Sequence, residues 1–258
     1  RLPGKLSRFL SRSVNPIVPQ MQKMDCDVWI FPAQDSLGYQ VPFSSIVSIH
    51  DLMHRYEGRF PEVSSWWRFG IREHRFRNLS LWAESVLVDS AVGREHVVAS
   101  YGVNRDKVKP LPYIAPQHIR QSEPESFNER FVLPQKFLFY PAQFWAHKNH
   151  KMLISAGAKV RQRCPDIQFV FTGSHRHEFE SVRKHAEHLG MSDCISYPGY
   201  VPNDYLVGFY RRARALVMPT FFGPTNIPPL EAFVCGCPVA VSDIYGMPEQ
   251  AQGAALLF

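Results

Sequence analysis

ALVMPTFFGPTNIPPLEAFVCGCPVAVS, residues 215–242, reads as one structural unit. Residues 215–218 form a short apolar run that suits a buried strand. Pro219 closes it, and a loop carrying Gly223 follows. Pro228 and Pro229 fit the first turn of a helix, where a missing N–H breaks no hydrogen bond. Residues 238–242 are apolar again and rich in valine, which predicts a second strand. Apolar strands joined through a helix describe a parallel pair covered on both faces.

Outward from this unit the same texture repeats. Residues 137–140, 167–172 and 194–197 read as strands. Helices are expected near 149–163, 177–189 and 204–213. Pro134, Pro165, Pro198, Pro219 and Pro238 fall at element edges, where a residue without an N–H is tolerated. The first half is similar in kind. Strands are expected at 28–31, 45–49 and 85–88, a long helix at 64–83, and another after Ser90 as N-cap. Residues 119–135 are rich in Gln, Ser, Glu and Pro and read as a linker. The expected organisation is therefore residues 1–118 and 136–258 as two α/β domains of Rossmann-like type. Two such sheets are expected to face one another across a cleft, with ligands beyond the carboxyl ends of their strands.

Composition narrows the class. The 258 residues are 45% hydrophobic and 20% charged, which excludes a disordered chain. No apolar run is long enough to span a bilayer. Arg1, Leu2, Pro3, Gly4 and Lys5 are not followed by an apolar stretch, so no secretory signal is expected there. Five cysteines without a CxxC pair fit reduced thiols and a cytoplasmic protein, and Cys235 and Cys237 read as packing residues. The formal charge of +6 implies an anionic partner without choosing among nucleic acid, phospholipid and phosphorylated substrate.

The chemistry is sought just after the strands. The N-terminus of the helix beginning near Ile227 presents unpaired N–H groups and the positive end of the helix dipole, a site for a diphosphate or for sugar hydroxyls. Glu231, one turn in, either accepts from two vicinal hydroxyls, as on a ribose, or is a solvated first-turn carboxylate. Lys148, in Gln143-Phe144-Trp145-Ala146-His147-Lys148-Asn149, is placed either to neutralise phosphate or to be solvated. His50-Asp51 at the end of a strand is either a structural pair or part of the site. Residues 55–77 hold six arginines (Arg55, Arg59, Arg68, Arg72, Arg75, Arg77) among Trp66, Trp67, Phe69 and Phe76. That mixture suits an anionic membrane surface or a lipid diphosphate; the alternative is aromatics packed inward with solvated arginines.

Gly223-Pro224-Thr225-Asn226-Ile227-Pro228-Pro229-Leu230-Glu231, followed by Cys235-Gly236-Cys237-Pro238-Val239, resembles the signature of the retaining glycosyltransferases of family four. Their pattern is E-G-F-G-L-P-P-L-E before a helix and a C-G-x-P-V strand entry. Lys148-Asn149 resembles the end of the family's G-R-x(4-5)-R-K-N, and His50 its strand-end histidine. Softer matches cover the stretches around Gly173 and around Tyr200 and Val201, which resemble loops near the nucleotide base.

The resemblance implies a two-Rossmann (GT-B) fold and transfer of a hexosyl group from a nucleoside diphosphate sugar to a glycan or lipid-linked acceptor, with retention. It implies no metal and no further cofactor. His50, Lys148 and Glu231 become the catalytic candidates, Glu231 by holding the ribose and Lys148 the diphosphate. Gln143, Gly173, Tyr200, Val201, Gly223, Pro224, Thr225, Asn226 and Ile227 are expected around the donor. Two departures stand out: Gly223 lies where the family has its first Glu, and Gln143 where it has an Arg. The expected substitutes are the backbone N–H groups of Thr225, Asn226 and Ile227 for the first and His147 for the second.

The subtype resembles enzymes of bacterial polysaccharide assembly, such as lipopolysaccharide O-antigen synthesis, working peripherally on the inner face of the membrane. Relative to that family both ends are expected to be truncated, the first domain short of its opening elements and the second of its closing helices. A fragment of that kind is expected to be poorly soluble or inactive alone. Three alternatives are a degenerate relative that binds sugar nucleotide or a partner, a sugar-nucleotide epimerase, and a basic nucleic-acid-binding protein. The last offers no account of the Pro228 to Pro238 signature, so nucleic acid is not expected as a partner.

Overall fold

The computed structural model describes Leu10 and residues 15–258. The N-terminal stretch read as lacking a secretory signal lies outside the described residues. The chain forms two compact units, residues 1–112 and 113–258.

The first unit carries a parallel four-stranded sheet in the order β1-β2-β3-β4, formed by Trp29–Phe31, Ser45–Ser48, Ser85–Val88 and Val108–Pro110. Val47, Ile49, Val86 and Val88 bury their side chains against Leu79 of the helix Trp66–Trp82 and Val97 of the helix Ala91–Tyr101. Ser90 caps that second helix as its sequence predicts, its hydroxyl accepting from Gly93 N–H at 3.0 Å. β4 was not anticipated. It is three residues long, Val-Lys-Pro, and its only sequence cue is one buried valine.

The second unit carries six parallel strands: β5 (Phe137–Pro141), β6 (Gln168–Thr172), β7 (Ile195–Gly199), β8 (Ala215–Met218), β9 (Val239–Val241) and β10 (Leu256–Leu257). Their order across the sheet is β10-β9-β8-β5-β6-β7. The direction of winding reverses between β5 and β8. A crevice opens at such a reversal, because the connections leaving the two strands run to opposite faces of the sheet. Phe137, Phe139, Phe169, Phe171, Phe209 and Tyr210 fill the core, all fully buried.

The segment 119–135 differs from its sequence reading as a linker. It packs on the second unit through Ile119 and Phe127, each 1% exposed, and holds a 3-10 turn at Gln117–Arg120 and a helical turn at Phe127–Arg130. Phe127 lies edge-on to Phe209, and Glu123 takes both Nη groups of Arg212 at 2.6 and 2.7 Å. A few well-placed apolar anchors tie down a segment whose average composition is that of a loop. Short helices at Val18–Lys23, Leu37–Gln40, Met53–Tyr56 and Met247–Ala251 were likewise unread, being too short to show a helical period.

Candidate functional site

The loops after β5 and β8 meet at the winding reversal and are stitched together by hydrogen bonds. Phe221 N–H donates to the His147 carbonyl at 2.8 Å, and the Asn149 side chain donates to the Pro219 carbonyl at 3.0 Å. Asn149 holds a left-handed conformation (φ 59°), which asparagine tolerates better than most residues. Lys148 Nζ then reaches Asn226 Oδ1 at 3.1 Å, so the lysine stands at the N-terminus of the helix Ile227–Val234.

Glu231 sits one turn into that helix and is 5% exposed, which removes the reading of a solvated first-turn carboxylate. Its Oε2 accepts from the Tyr210 hydroxyl at 2.7 Å. Burial, and then the Glu231 carboxylate, hold that phenol well above the ordinary tyrosine range, so it is a committed donor. His118 Nε2 lies 3.3 Å from Oε1 but out of line for a hydrogen bond. A carboxylate offers about four acceptor positions, and only one is firmly used. Glu231 is therefore fixed in place with acceptor capacity to spare.

Gly223 has φ 142°, and a Cβ there would collide with the side-chain amide of Asn226. Asn226 thus occupies space that a longer residue at 223 would need. Its backbone is also spoken for: its N–H donates to Gln250 Oε1 at 3.1 Å, and Gln250 Nε2 donates back to its carbonyl at 2.8 Å. The expectation that the Asn226 N–H would serve a ligand is corrected here. The side chain of Asn226, turned to Lys148, is the polar group at that spot. Pro224 is buried, Thr225 half-buried and Ile227 exposed at the helix entrance.

On the other flank, Gly173 follows β6 with φ 141° and packs so closely on the Ala142 carbonyl that no side chain fits. Gln143, exposed, accepts at Oε1 from Trp145 Nε1 (3.0 Å) and from Arg176 Nε (2.9 Å). Tyr200, after β7, is 68% exposed, an open aromatic face, whereas Val201 is buried at 5% and acts as support.

In the first unit, His50 follows β2 and donates from Nε2 to the Pro32 carbonyl at 3.1 Å, since a carbonyl can only accept. Asp51 does not orient that ring. Its Oδ1 accepts from Met53 N–H at 2.9 Å and from Arg72 Nη2 at 3.2 Å. The 55–77 stretch is two elements, not one helix, and its alternative packing is inverted. Trp66, Trp67 and Phe69 are exposed by 85%, 50% and 39%, while Arg55, Arg59 and Arg72 pair with Glu73, Glu57 and Asp51. Of the four aromatics only Phe76 is buried.

Tyr210, His118, Gln250 and Arg176 were missed by the sequence reading. Tyr210 lies in an ordinary amphipathic helix and His118 in the supposed linker, so neither carries a local signal. Arg176 stands in the tract His175-Arg176-His177, where the histidines draw the eye.

The glycosyl transferases group 1 model matches residues 121–255, over half of the chain, and the chain belongs to that family. The serotype-specific mannosyltransferase WbdA of Escherichia coli is 26% identical over 167 residues, 63% of this chain and 18% of that protein. The O-antigen chain mannosyltransferase B of Escherichia coli is 30% identical over 127 residues, 48% of this chain and 32% of its own length. The chain thus spans less than a third of these relatives. Among solved structures, Anabaena HepE in complex with UDP and glucose superimposes with a TM-score of 0.71 at 15% identity, covering 96% of this chain and 68% of that one. The fold is that of the GT-B glycosyltransferases.

Proposed function

We propose that this protein transfers a hexosyl group from a nucleoside diphosphate sugar to a hydroxyl of a glycan or lipid-linked glycan, with retention at the anomeric carbon. The observation that carries the reading is the meeting of Lys148, Asn226 and the helix Ile227–Val234 at the winding reversal between β5 and β8, with buried Glu231 one turn behind. In this reading Glu231 accepts from the ribose hydroxyls, and Tyr200 offers its exposed ring to the base. Lys148 and the helix N-terminus face the diphosphate. As the bond from the anomeric carbon to the diphosphate oxygen breaks, its electron pair leaves with the diphosphate, and fixed positive charge there stabilises the departing group. The acceptor oxygen bonds to the anomeric carbon, and its proton passes to the leaving phosphate. His50 is assigned to the sugar side of the reaction. No metal has a role, because lysine and helix amides meet the leaving charge.

HepE is described in complex with UDP, with UDP-glucose, and with UDP and glucose, which supports a sugar nucleotide as donor here. WbdA and the O-antigen enzyme are mannosyltransferases, which supports a hexosyl group and a polysaccharide acceptor. The exposed Trp66, Trp67 and Phe69 support peripheral contact with a membrane, which this reading places on its inner, cytoplasmic face. Among the described residues no helix is long and apolar enough to cross a bilayer.

The test is calorimetric titration of UDP, GDP and dTDP, in EDTA, into the full-length parent protein and its Glu231→Ala variant. Micromolar binding of one nucleotide, lost in the variant, is expected. Failure of all three to bind folded protein refutes the donor site.

A further inference from the structure

The loops that follow β5 and β6 are laced together. Ala142 N–H donates to the Thr172 carbonyl at 2.9 Å, Phe144 N–H to the Ser174 carbonyl at 3.4 Å, and Glu178 N–H to the Phe144 carbonyl at 3.3 Å. Gly173, without room for a side chain, sets their close approach. This lacing fixes where Arg176 emerges.

Arg176 is held by two contacts. Its Nε donates to Gln143 Oε1 at 2.9 Å, and its guanidinium carbon lies 5.3 Å from the centre of the Trp145 ring. Gln143 Oε1 is itself oriented by the Trp145 indole N–H at 3.0 Å. Neither partner carries charge, so the arginine is positioned without being neutralised. Arg55, Arg59, Arg72, Arg105, Arg183 and Arg212 each face a carboxylate, whereas among the described residues no carboxylate lies at ion-pair distance from Arg176. A guanidinium has five N–H donors in a rigid fork, and only the Nε one is used here. The four Nη hydrogens remain on an exposed side chain, in the geometry that grips two oxygens of one phosphate.

We infer that Arg176 is a donor-binding residue that presents its Nη fork to the diphosphate, supplying from the β6 loop the positive charge that Gln143 does not. Lys148, in the loop after β5, and Arg176, in the loop after β6, then form a pair of cations reached from different strands. Gln143 becomes the bracket that aims the guanidinium. An arginine keeps its charge at every physiological pH. The inference rests on the nucleoside diphosphate reading of the site, and its test separates the two.

The experiment uses the full-length parent protein in EDTA and titrates UDP, GDP and dTDP beside UMP, GMP and dTMP. Arg176→Ala is expected to weaken the bound diphosphate roughly 10- to 100-fold, the scale of one charge-assisted pair, and the matching monophosphate less than about threefold. Arg176→Lys keeps the charge but not the fork and should fall between. The decisive variant returns the charge to the strand end: Gln143→Arg added to Arg176→Ala should recover most of the lost diphosphate affinity. Thermal melts of all variants should match the parent, since Arg176 is exposed. Equal diphosphate affinity in parent and Arg176→Ala overturns the inference and leaves the donor site standing. An equal loss for mono- and diphosphates overturns it too, by assigning Arg176 to the nucleoside end. If the parent binds no nucleotide, the donor reading fails and takes this inference with it.

Discussion

Two carboxylates, one in each unit, show how the same group serves different ends. Glu73 in the first unit gathers donors: Arg55 Nε and Nη2 at 2.8 and 2.5 Å, His54 Nε2 at 3.2 Å, and the Tyr101 hydroxyl at 3.5 Å. Although burial alone would raise it, the Arg55 and His54 contacts hold Glu73 below the ordinary carboxylate range. Its acceptor positions are filled, and it braces the helices around it. Glu231 in the second unit has one neutral donor, Tyr210, and one misaligned histidine. The first carboxylate is closed and the second is held open. The same contrast separates the arginines, paired near Glu73 and Asp51 but uncompensated at Arg176. Groups fixed by neutral partners keep their charge for something else; groups fixed by opposite charge have already spent it.

If the second unit is built around a fixed opening, the backbone that shapes it should be the most sensitive place in the molecule. Gly173 holds φ 141° with the Ala142 carbonyl where a Cβ would go, and that carbonyl cannot turn aside. Gly173→Ala combines a strained backbone with a steric conflict and should cost roughly 2–4 kcal/mol of stability. The expected result is a lower urea midpoint with an unchanged slope. Nucleotide affinity should be lost even where the protein remains folded. A cost under about 1 kcal/mol would mean that the two loops can part easily, and the idea of a rigid opening would go with it.

A smaller effect comes from the ring beneath Lys148. His150 is 2% exposed, stacked on Phe144 at 4.4 Å and tilted against Tyr140 at 4.8 Å. Burial, and then the positive charge of Lys148, push it from an ordinary 6.5 down to about 3. The folded state keeps this ring neutral where the unfolded chain would protonate it. Between pH 6.5 and 3 the unfolded state therefore binds one more proton, and stability falls as pH falls. At about 1.4 kcal/mol per unit, the second unit should lose roughly 2 kcal/mol between pH 6.5 and pH 5. His150→Phe, close in size and without a titrating group, should flatten that part of the denaturation profile. An unchanged slope in the variant would assign the acid sensitivity to other groups.

Strands β5, β6 and β8 were legible because each is a largely apolar run closed by proline or glycine, and each stands within a residue or two of its predicted bounds. Legibility failed where a contact is non-local. Glu231 could be singled out from its place after Pro228 and Pro229. That it would be buried depends on Tyr210, twenty-one residues away, and on a segment whose composition says linker. Lys148 was visible as a strand-end lysine, but its partner Asn226 lies seventy-eight residues on. Arg176 shows the same limit, since nothing within its tract points to Gln143 or Trp145. The basic–aromatic stretch was visible as a composition, yet which side faced water was not, because Glu57, Glu73 and Asp51 decide it.

That stretch supplies the smallest expected stability change and the sharpest contrast with the opening in the second unit. Trp66 is 85% exposed and Trp67 50%, at the start of a helix whose buried contacts begin ten residues later at Phe76. Burial is what stabilises a side chain, so replacing both by serine should move stability by no more than about 0.5 kcal/mol. Membrane attachment through this surface would respond differently, because tryptophan rings favour the headgroup level and exposed arginines such as Arg68 and Arg77 favour anionic lipid. Sedimentation of the full-length protein with vesicles of phosphatidylglycerol and phosphatidylethanolamine should fall several-fold in the Trp66→Ser, Trp67→Ser variant, and for the parent should fall with added salt. UDP, GDP or dTDP binding should not change. A double variant that melts early would instead place these rings in a contact that holds the fold, and vesicle binding equal to the parent's would remove this surface as the attachment site.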